Sequence, residues 1–357
     1  MKESIKNKTL IIHDFFATNG GAEKVTIYLS KIIKNSRIYT SYVNQKMGIF
    51  NDKEIISFLK PTGINIFDFL LIFLGFLNFK TKMQPNSIIF SGIFAPLAQN
   101  KFSCKKIYYC HTPPKFLFLR DHWLRKYNWI FWPILEFYKR RYIFSLKKMD
   151  IIYANSKYTQ DNLKKYFSID SRLLYPPVGV QHCYNKIEEN FYLSTGRLEK
   201  PKNVEIVINS FIKLPSKKLI VSSGGTLYKK LYKKYKEHKN ISFTNWLKKE
   251  DQLEYLSKCI ATIYVPSNED FGISAVESLA SGKPVIGLDA GGQREILEHK
   301  KNAYICSESS LKEDIIKAVH FLDPSQANNM KNYCIYSSQK FKDSVFDNEI
   351  QNRLKNE

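Results

Sequence analysis

The sequence predicts an α/β protein made of two parallel-sheet domains, and three observations carry that prediction. Apolar runs recur without alternating polar positions, as buried parallel strands do. Each leads through a short polar, Gly- or Pro-containing turn into a stretch whose apolar residues fall at helical spacing. The chain has 357 residues, enough for about two domains of ~150 residues each. The polar patch Gln181 to Asn190 is the best linker, so the boundary is expected near residue 180.

Composition bounds the function. A hydrophobic content of 44% marks a globular chain, and 55 Lys and Arg against 33 Asp and Glu leave a net charge of +22. Such a surplus attracts anionic partners: a phosphate-rich lipid surface, nucleic acid or a nucleotide. Charge alone does not choose among them, and part of the excess reflects a chain rich in Lys throughout. Six cysteines without C-x-x-C pairing lie mostly in apolar runs, as reduced buried thiols do, which fits a cytosolic compartment. No signal peptide is visible ahead of the first strand.

Thr9 to Phe16 is a buried first strand, followed by Ala17-Thr18-Asn19-Gly20-Gly21 and a helix carrying Val25, Leu29 and Ile32. The turn is not G-x-G-x-x-G, so a dinucleotide fold is not indicated. Gly20 and Gly21 serve either a tight turn at positive φ or a close approach of backbone to ligand. Strands follow at Arg37 to Val43 and Glu54 to Phe58. The run Ile64 to Phe79 contains Asp68, Gly75 and Asn78 and falls short of the ~20 residues a bilayer span needs. It reads as a buried helix, or as an element inserted partly into a membrane interface with Lys80 and Lys82 at the headgroups.

Ser87 to Ser91 and Lys106 to Cys110 are further strands, and the second runs into His111-Thr112-Pro113-Pro114. A histidine at the carboxyl end of a parallel strand sits where α/β enzymes place chemistry, although a structural histidine is the bland alternative. Residues 115 to 148 interleave aromatics and bases, among them Phe116, Phe118, Arg120, His122, Trp123, Arg125, Lys126, Tyr127, Trp129, Trp132, Lys139, Arg140, Arg141, Lys147 and Lys148. That pattern suits stacked nucleobases or a membrane interface. Asp150 to Ser156 and Arg172 to Val178 complete the strands of the first domain.

Phe191 to Arg197 opens the second domain and turns through Leu198-Glu199-Lys200-Pro201-Lys202-Asn203 into a helix. Arg197 and Lys202 bracket a turn at a strand's carboxyl end, as a pair neutralising a leaving pyrophosphate should; Lys200 competes for the lysine role. Lys218 to Gly225 ends in Gly224-Gly225, which admit a phosphate or base, and Asn240 to Asn245 is the next strand. The densest stretch is Pro266 to Glu298, PSNEDFGISAVESLASGKPVIGLDAGGQREILE. The strand Cys259 to Val265 leads into an acidic turn with Glu269 and Asp270, and a helix begins after Gly272. Its free N–H groups and partial positive charge favour an anion. Lys283 to Asp289 repeats the pattern, with Gly291-Gly292 opening a second helix. Glu269 and Glu277 are poor phosphate ligands, so hydrogen bonding to the hydroxyls of a sugar or ribose is their economical role.

The E-x7-E pattern from Glu269 to Glu277 within NEDFGISAVESLASGKPVI resembles the signature of retaining glycosyltransferases of family 4. The resemblance extends over nearly the whole chain, through G-G-A-E at Gly20, C-H-T-P at Cys110, A-N-S at Ala154 and G-R-x4-K from Gly196 to Lys202. It implies the GT-B fold, two Rossmann-like domains facing across a cleft, with a C-terminal helix crossing back to the first. The implied domains are 1–180 on the acceptor side, 181–335 for the donor and 336–357 as the returning helix. The family role of His111 is contact with the donor sugar, and that of Glu269 is binding of its hydroxyls. Arg197 and Lys202 would hold the phosphates, helped by the backbone at Phe271, Gly272 and Ile273. Glu277 would bind the ribose, Asn245 would lie near the base, and Gly20 and Gly21 near donor phosphate and acceptor.

The activity implied is metal-independent transfer of a hexose, mannose among the candidates, with retention. The donor would be GDP-mannose or a UDP-sugar, used as substrate, and no cofactor is expected. The acceptor would be lipid-linked or a glycan, in the synthesis of cell-surface polysaccharide such as lipopolysaccharide. The protein would then be cytoplasmic and peripheral on the inner face of an anionic membrane, without nucleic acid as partner. No separate carboxylate stands out as a nucleophile, which favours same-face substitution with the departing phosphate as base. Two other classes compete: a sugar-nucleotide 2-epimerase of the same fold, and a catalytically dead basic protein that binds membrane or nucleic acid.

Overall fold

The computed structural model describes residues 9–17, 20–44, 55–63, 65–119, 128–186 and 189–355. Of the basic and aromatic stretch, Arg120, His122, Trp123, Arg125, Lys126 and Tyr127 lie outside the described residues, as do Thr18 and Asn19 of the first turn. The chain divides into two units, residues Met1–Tyr175 with Asp347–Glu357, and Pro176–Phe346.

The first unit is a parallel sheet of seven strands: β1 (Thr9–His13), β2 (Ser36–Thr40), β3 (Ile55–Ser57), β4 (Ser87–Ser91), β5 (Lys105–Cys110), β6 (Ile151–Ala154) and β7 (Arg172–Leu173). Their spatial order is β3-β2-β1-β4-β5-β6-β7. The helices α1 (Gly21–Ile32), α2 (Asn65–Leu77), α3 (Asn128–Leu146) and α4 (Lys157–Phe167) connect them. Strands β1 and β4 are buried at every position, which is why they read as continuous apolar runs. Leu10, Ile12, Ile88, Phe90 and Tyr108 pack with Phe73 and Phe76 of α2 and Tyr138 and Tyr142 of α3 in one core. Within this apolar run α2, Asn65–Leu77, is thus a helix with one buried face, while Phe67, Leu71 and Leu74 stay exposed.

The second unit repeats the design with β8 (Tyr192–Ser194), β9 (Leu219–Val221), β10 (Ile241–Phe243), β11 (Thr262–Tyr264), β12 (Val285–Leu288) and β13 (Ala303–Cys306) in the order β10-β9-β8-β11-β12-β13. Its helices are α5 (Val204–Ile212), α6 (Tyr228–Tyr235), α7 (Lys249–Lys258), α8 (Ile273–Ala280), α9 (Leu311–Phe321) and α10 (Pro324–Ser338). A last helix, α11 (Asp343–Lys355), starts in the second unit and ends in the first. There Tyr28 donates to Asp347 at 3.0 Å and Tyr153 to Glu349 at 2.6 Å. All six cysteines are free thiols. Among the described residues no helix is long and apolar enough to cross a membrane.

In both sheets the chain builds outward from the first strand, then crosses to its other side. The order therefore reverses between β1 and β4, and between β8 and β11. Crevices at the carboxyl ends of strands beside such a reversal are where open α/β sheets bind ligands.

Candidate donor and sugar sites

In the second unit the reversal point gathers the predicted residues. The turn after β8 carries Arg197 and Lys202; the turn after β11 carries Glu269. Backbone and side-chain bonds fasten the two turns together. Ser267 N–H donates to Pro201 O at 2.9 Å, and Asn203 Nδ2 donates to Val265 O at 2.9 Å and Ser267 Oγ at 3.0 Å. Asn203 holds a left-handed backbone, φ 56°, which asparagine tolerates better than most residues. Lys202 Nζ thereby meets Glu269 Oε2 at 2.5 Å, with both side chains mostly buried. Lys200 is exposed, so this geometry selects Lys202 as the lysine beside the acidic turn.

Tyr264, the last residue of β11, is the common neighbour. The Lys202 ammonium sits 5.7 Å from its ring centroid. Burial pushes its phenol well above the ordinary range, and the Glu269 carboxylate adds to that; Arg197 opposes it and Glu277 reinforces it. In the sequence Tyr264 reads as strand core, and the signal that marks it out is a polar tip at the carboxyl end of a strand.

Helix α8 begins after Gly272, whose φ of 111° is one that side-chain-bearing residues rarely adopt. Gly272 at the N-cap brings no side chain to cap the helix, and helix starts of this kind carry the N–H groups that suit an anion. Phe271 is buried against Phe341, ring centroids 5.3 Å apart, and anchors the turn. Glu277 is buried on α8, and Lys249 Nζ reaches its Oε1 at 2.5 Å. In the sequence Lys249 is one lysine among many, with no pattern that singles it out.

The Gly-Gly turn after β12 differs from expectation. It opens a five-residue 3-10 helix, Gly291–Glu295, and not a second anion-binding helix. Gly292 N–H donates to Glu269 O at 2.8 Å, and a Cβ on Gly291 or Gly292 would stand 2.1 Å or 2.2 Å from the carbonyl oxygens of Glu269 and Asp270. Their missing side chains let this turn support the acidic loop. Similarly, what approaches Gly224 and Gly225 is protein: the Trp246 indole and the Leu198 backbone. Asn245 takes a left-handed φ of 62° next to the exposed Trp246.

His111, Gly20 and Gly21 belong to the first unit. His111 follows β5 directly and is buried, with Nε2 2.8 Å from Ser91 Oγ. Ser91 in turn lies 2.8 Å from Thr26 Oγ1 and 3.0 Å from His13 Nδ1, so β1, β4, β5 and α1 all contribute to one buried polar network. Asn155 Nδ2 donates to His111 O at 2.8 Å. Burial pushes the imidazole of His111 down to about 3, with the neighbouring His13 contributing, and that of His13 down to about 4. Both rings are therefore neutral at ordinary pH, and the Ser91 contact leaves Nδ1 of His111 for other partners. Asp14 accepts from the N–H groups of Ile93, Phe94 and Ala95 at 2.6, 2.9 and 2.7 Å, which fixes the turn after β4. Gly20 precedes α1 in an extended conformation, φ −86° and ψ 178°, so no left-handed backbone explains it; Gly21 is the first helical residue. His13, Ser91 and Asp14 sit at the carboxyl ends of β1 and β4, a placement that could have flagged them.

Residues 184–340 match the family model for glycosyl transferases group 1. An α-1,3/1,6-mannosyltransferase, ALG2 of Kluyveromyces lactis, is 29% identical over 54% of this chain and 47% of its own length. The chain spans about half the length of the curated relatives it matches. Among solved structures, HepE of Anabaena in complex with UDP and glucose superposes with a TM-score of 0.77 at 15% identity, covering 98% of this chain and 99% of that one. The lipopolysaccharide outer core galactosyltransferase WaaB superposes with a TM-score of 0.68 at 15% identity, covering 97% and 98%. The fold is that of these GT-B proteins.

Proposed function

Through residues 184–340 the chain belongs to the group 1 glycosyltransferases, and from that premise we propose that it transfers a hexose, with retention, from a nucleoside-diphosphate sugar to a lipid-linked or glycan acceptor. The observation that carries this reading is the Lys202–Glu269 pair at 2.5 Å, held at the reversal point of the second sheet in the turn that leads through Gly272 into α8. One partner suits a diphosphate and the other a sugar hydroxyl.

In this mechanism the donor's diphosphate takes Lys202 from Glu269, with Arg197 and the backbone N–H groups at Gly272 and Ile273 completing the cradle. Negative charge building on the leaving diphosphate then meets fixed donors, the kind of preorganisation that is often the largest catalytic term. Released from Lys202, Glu269 accepts hydrogen bonds from the sugar, and Glu277 does the same for the ribose. Asn245 and Trp246 lie toward the base. By the family resemblance His111, neutral and held by Ser91, would offer Nδ1 to the transferred sugar, and Gly20 and Gly21 would lie near donor phosphate and acceptor. Attack comes from the face the diphosphate leaves, and a departing phosphate oxygen takes the acceptor's proton.

The mannosyltransferase relatives favour mannose, while HepE, with UDP and glucose, keeps a UDP-sugar in play. A cytoplasmic protein lying on the inner face of an anionic membrane follows from the net charge of +22 and a lipid-linked acceptor. The test is transfer from labelled GDP-mannose, UDP-glucose and UDP-galactose to lipid extracts and oligosaccharides. A Glu269→Ala protein should lose transfer. Unchanged transfer in that variant, or a sugar trapped covalently on a carboxylate, would defeat the mechanism; donor conversion without acceptor would favour epimerisation.

A further inference from the structure

We propose that the outward face formed by α2 and α3 is the surface by which the first unit docks onto an anionic lipid bilayer. This deepens the membrane-surface reading above, and rests on it for the class of partner. Among the described residues, Phe67, Leu71 and Leu74 of α2 and Trp132, Phe137 and Phe144 of α3 are large apolar side chains between 39% and 56% exposed. On α2 they follow each other at four- and three-residue intervals, which places them on one face, opposite the buried Ile72, Phe73 and Phe76. The two helices are neighbours: the rings of Phe73 and Phe137 lie 6.0 Å apart, and those of Phe69 and Tyr138 6.1 Å apart.

What distinguishes this face from a protein-docking surface is its cationic partner set. Arg140 is exposed on α3 near Phe137 and Phe144, and Lys147 and Lys148 are exposed in the turn that directly follows the helix. Arg141 and Lys148 sit 5.4 Å and 5.8 Å from the centroid of the Phe144 ring. Aromatics that enter the headgroup boundary, flanked by long cations that stay at phosphate level, are what an interfacial helix needs. Of the nearby acids, Glu136 pairs with Arg140 at 2.9 Å and balances that cation, and Asp68 is bonded to the N–H groups of Thr62 and Gly63; Arg141, Lys147 and Lys148 are cations beyond that pair, and they outnumber Asp68. At 13 residues α2 is far too short to span a bilayer and lies along its surface.

The experiment is flotation of the full chain with phosphatidylcholine vesicles containing or lacking phosphatidylglycerol. The triple variants Phe67→Ser/Leu71→Ser/Leu74→Ser and Arg140→Glu/Lys147→Glu/Lys148→Glu are run in parallel. Binding should require phosphatidylglycerol, and the charge variant should lose roughly a hundredfold in partitioning, at about fivefold or more per cation. The apolar variant should lose binding even at low salt. Each variant should keep the wild-type melting temperature and nucleotide affinity, since the altered side chains are exposed. Wild-type partitioning by both variants would overturn the proposal, as would a dimer that the apolar variant dissolves while vesicle binding persists. Vesicle binding without any nucleotide binding would leave the docking face standing and remove the transferase reading instead.

Discussion

At the residue scale the donor reading turns on charges that partner each other before any ligand arrives. Lys202 and Glu269 are an ion pair at 2.5 Å, and Glu277 is held by Lys249 at the same distance. Replacing Lys202 by Ala should weaken nucleoside-diphosphate binding by roughly tenfold to a hundredfold, the worth of a hydrogen bond to a charged group. Titration calorimetry would read the change directly. In the first unit, Ser91→Ala removes the hydroxyl that holds His111 Nε2 and should lower turnover by roughly tenfold to a hundredfold through misplacement of the ring, with nucleotide affinity unchanged. The same network sets a pH dependence. His13 and His111 have folded values of about 4 and about 3 against an ordinary 6.5. The unfolded chain therefore takes up protons first as the pH falls. Their contribution to stability is full above pH 6.5 and is lost as the pH drops toward 4 and then 3. Asp14 acts in the opposite sense, because burial pushes its carboxyl up to about 7. Urea midpoints across this range should fall less steeply for His13→Gln/His111→Gln than for wild type, and the difference between the two isolates the imidazoles.

At the scale of elements, Gly291 and Gly292 exist for the loop they touch. Gly291→Ala puts a Cβ against the Glu269 carbonyl at a φ of 61°, so the acidic loop must move. The expected cost is about 1–3 kcal/mol in stability, read by thermal unfolding, with a larger loss in donor affinity. This also shows what the sequence made legible. The central strands β1 and β4 appear as apolar runs because every one of their positions is buried, and E-x7-E marked Glu269 and Glu277 because their flanks are distinctive. The partners of those carboxylates did not appear. Lys249 and Tyr264 are ordinary residues until the fold brings them beside Glu277 and Glu269, and no local pattern carries such a juxtaposition. Gly-Gly after β12 looked like a ligand turn because close approach leaves the same trace whether a phosphate or another backbone approaches.

At the scale of the whole molecule, the chain passes between its units twice, after Tyr175 and after Phe346. Asp343 ties the two segments, accepting from Gly179 N–H at 2.8 Å and Gln181 Nε2 at 2.9 Å. Past this clasp α11 supplies the fully buried Ile350 and the carboxylates that receive Tyr28 and Tyr153. Ile350→Ala should cost about 2–5 kcal/mol, as truncation of a buried aliphatic does, and calorimetry should show the loss in the melting of the first unit. The central claim is that the second unit holds a nucleotide-sugar through its diphosphate at Lys202, Arg197 and the start of α8. The most direct measurement is titration of the full chain and its Lys202→Ala and His111→Ala variants with UDP, GDP and their sugar conjugates. One diphosphate should bind wild type and His111→Ala alike and bind Lys202→Ala roughly tenfold or more weakly. Equal affinity for all three proteins, or loss on His111→Ala with Lys202→Ala unaffected, would contradict it.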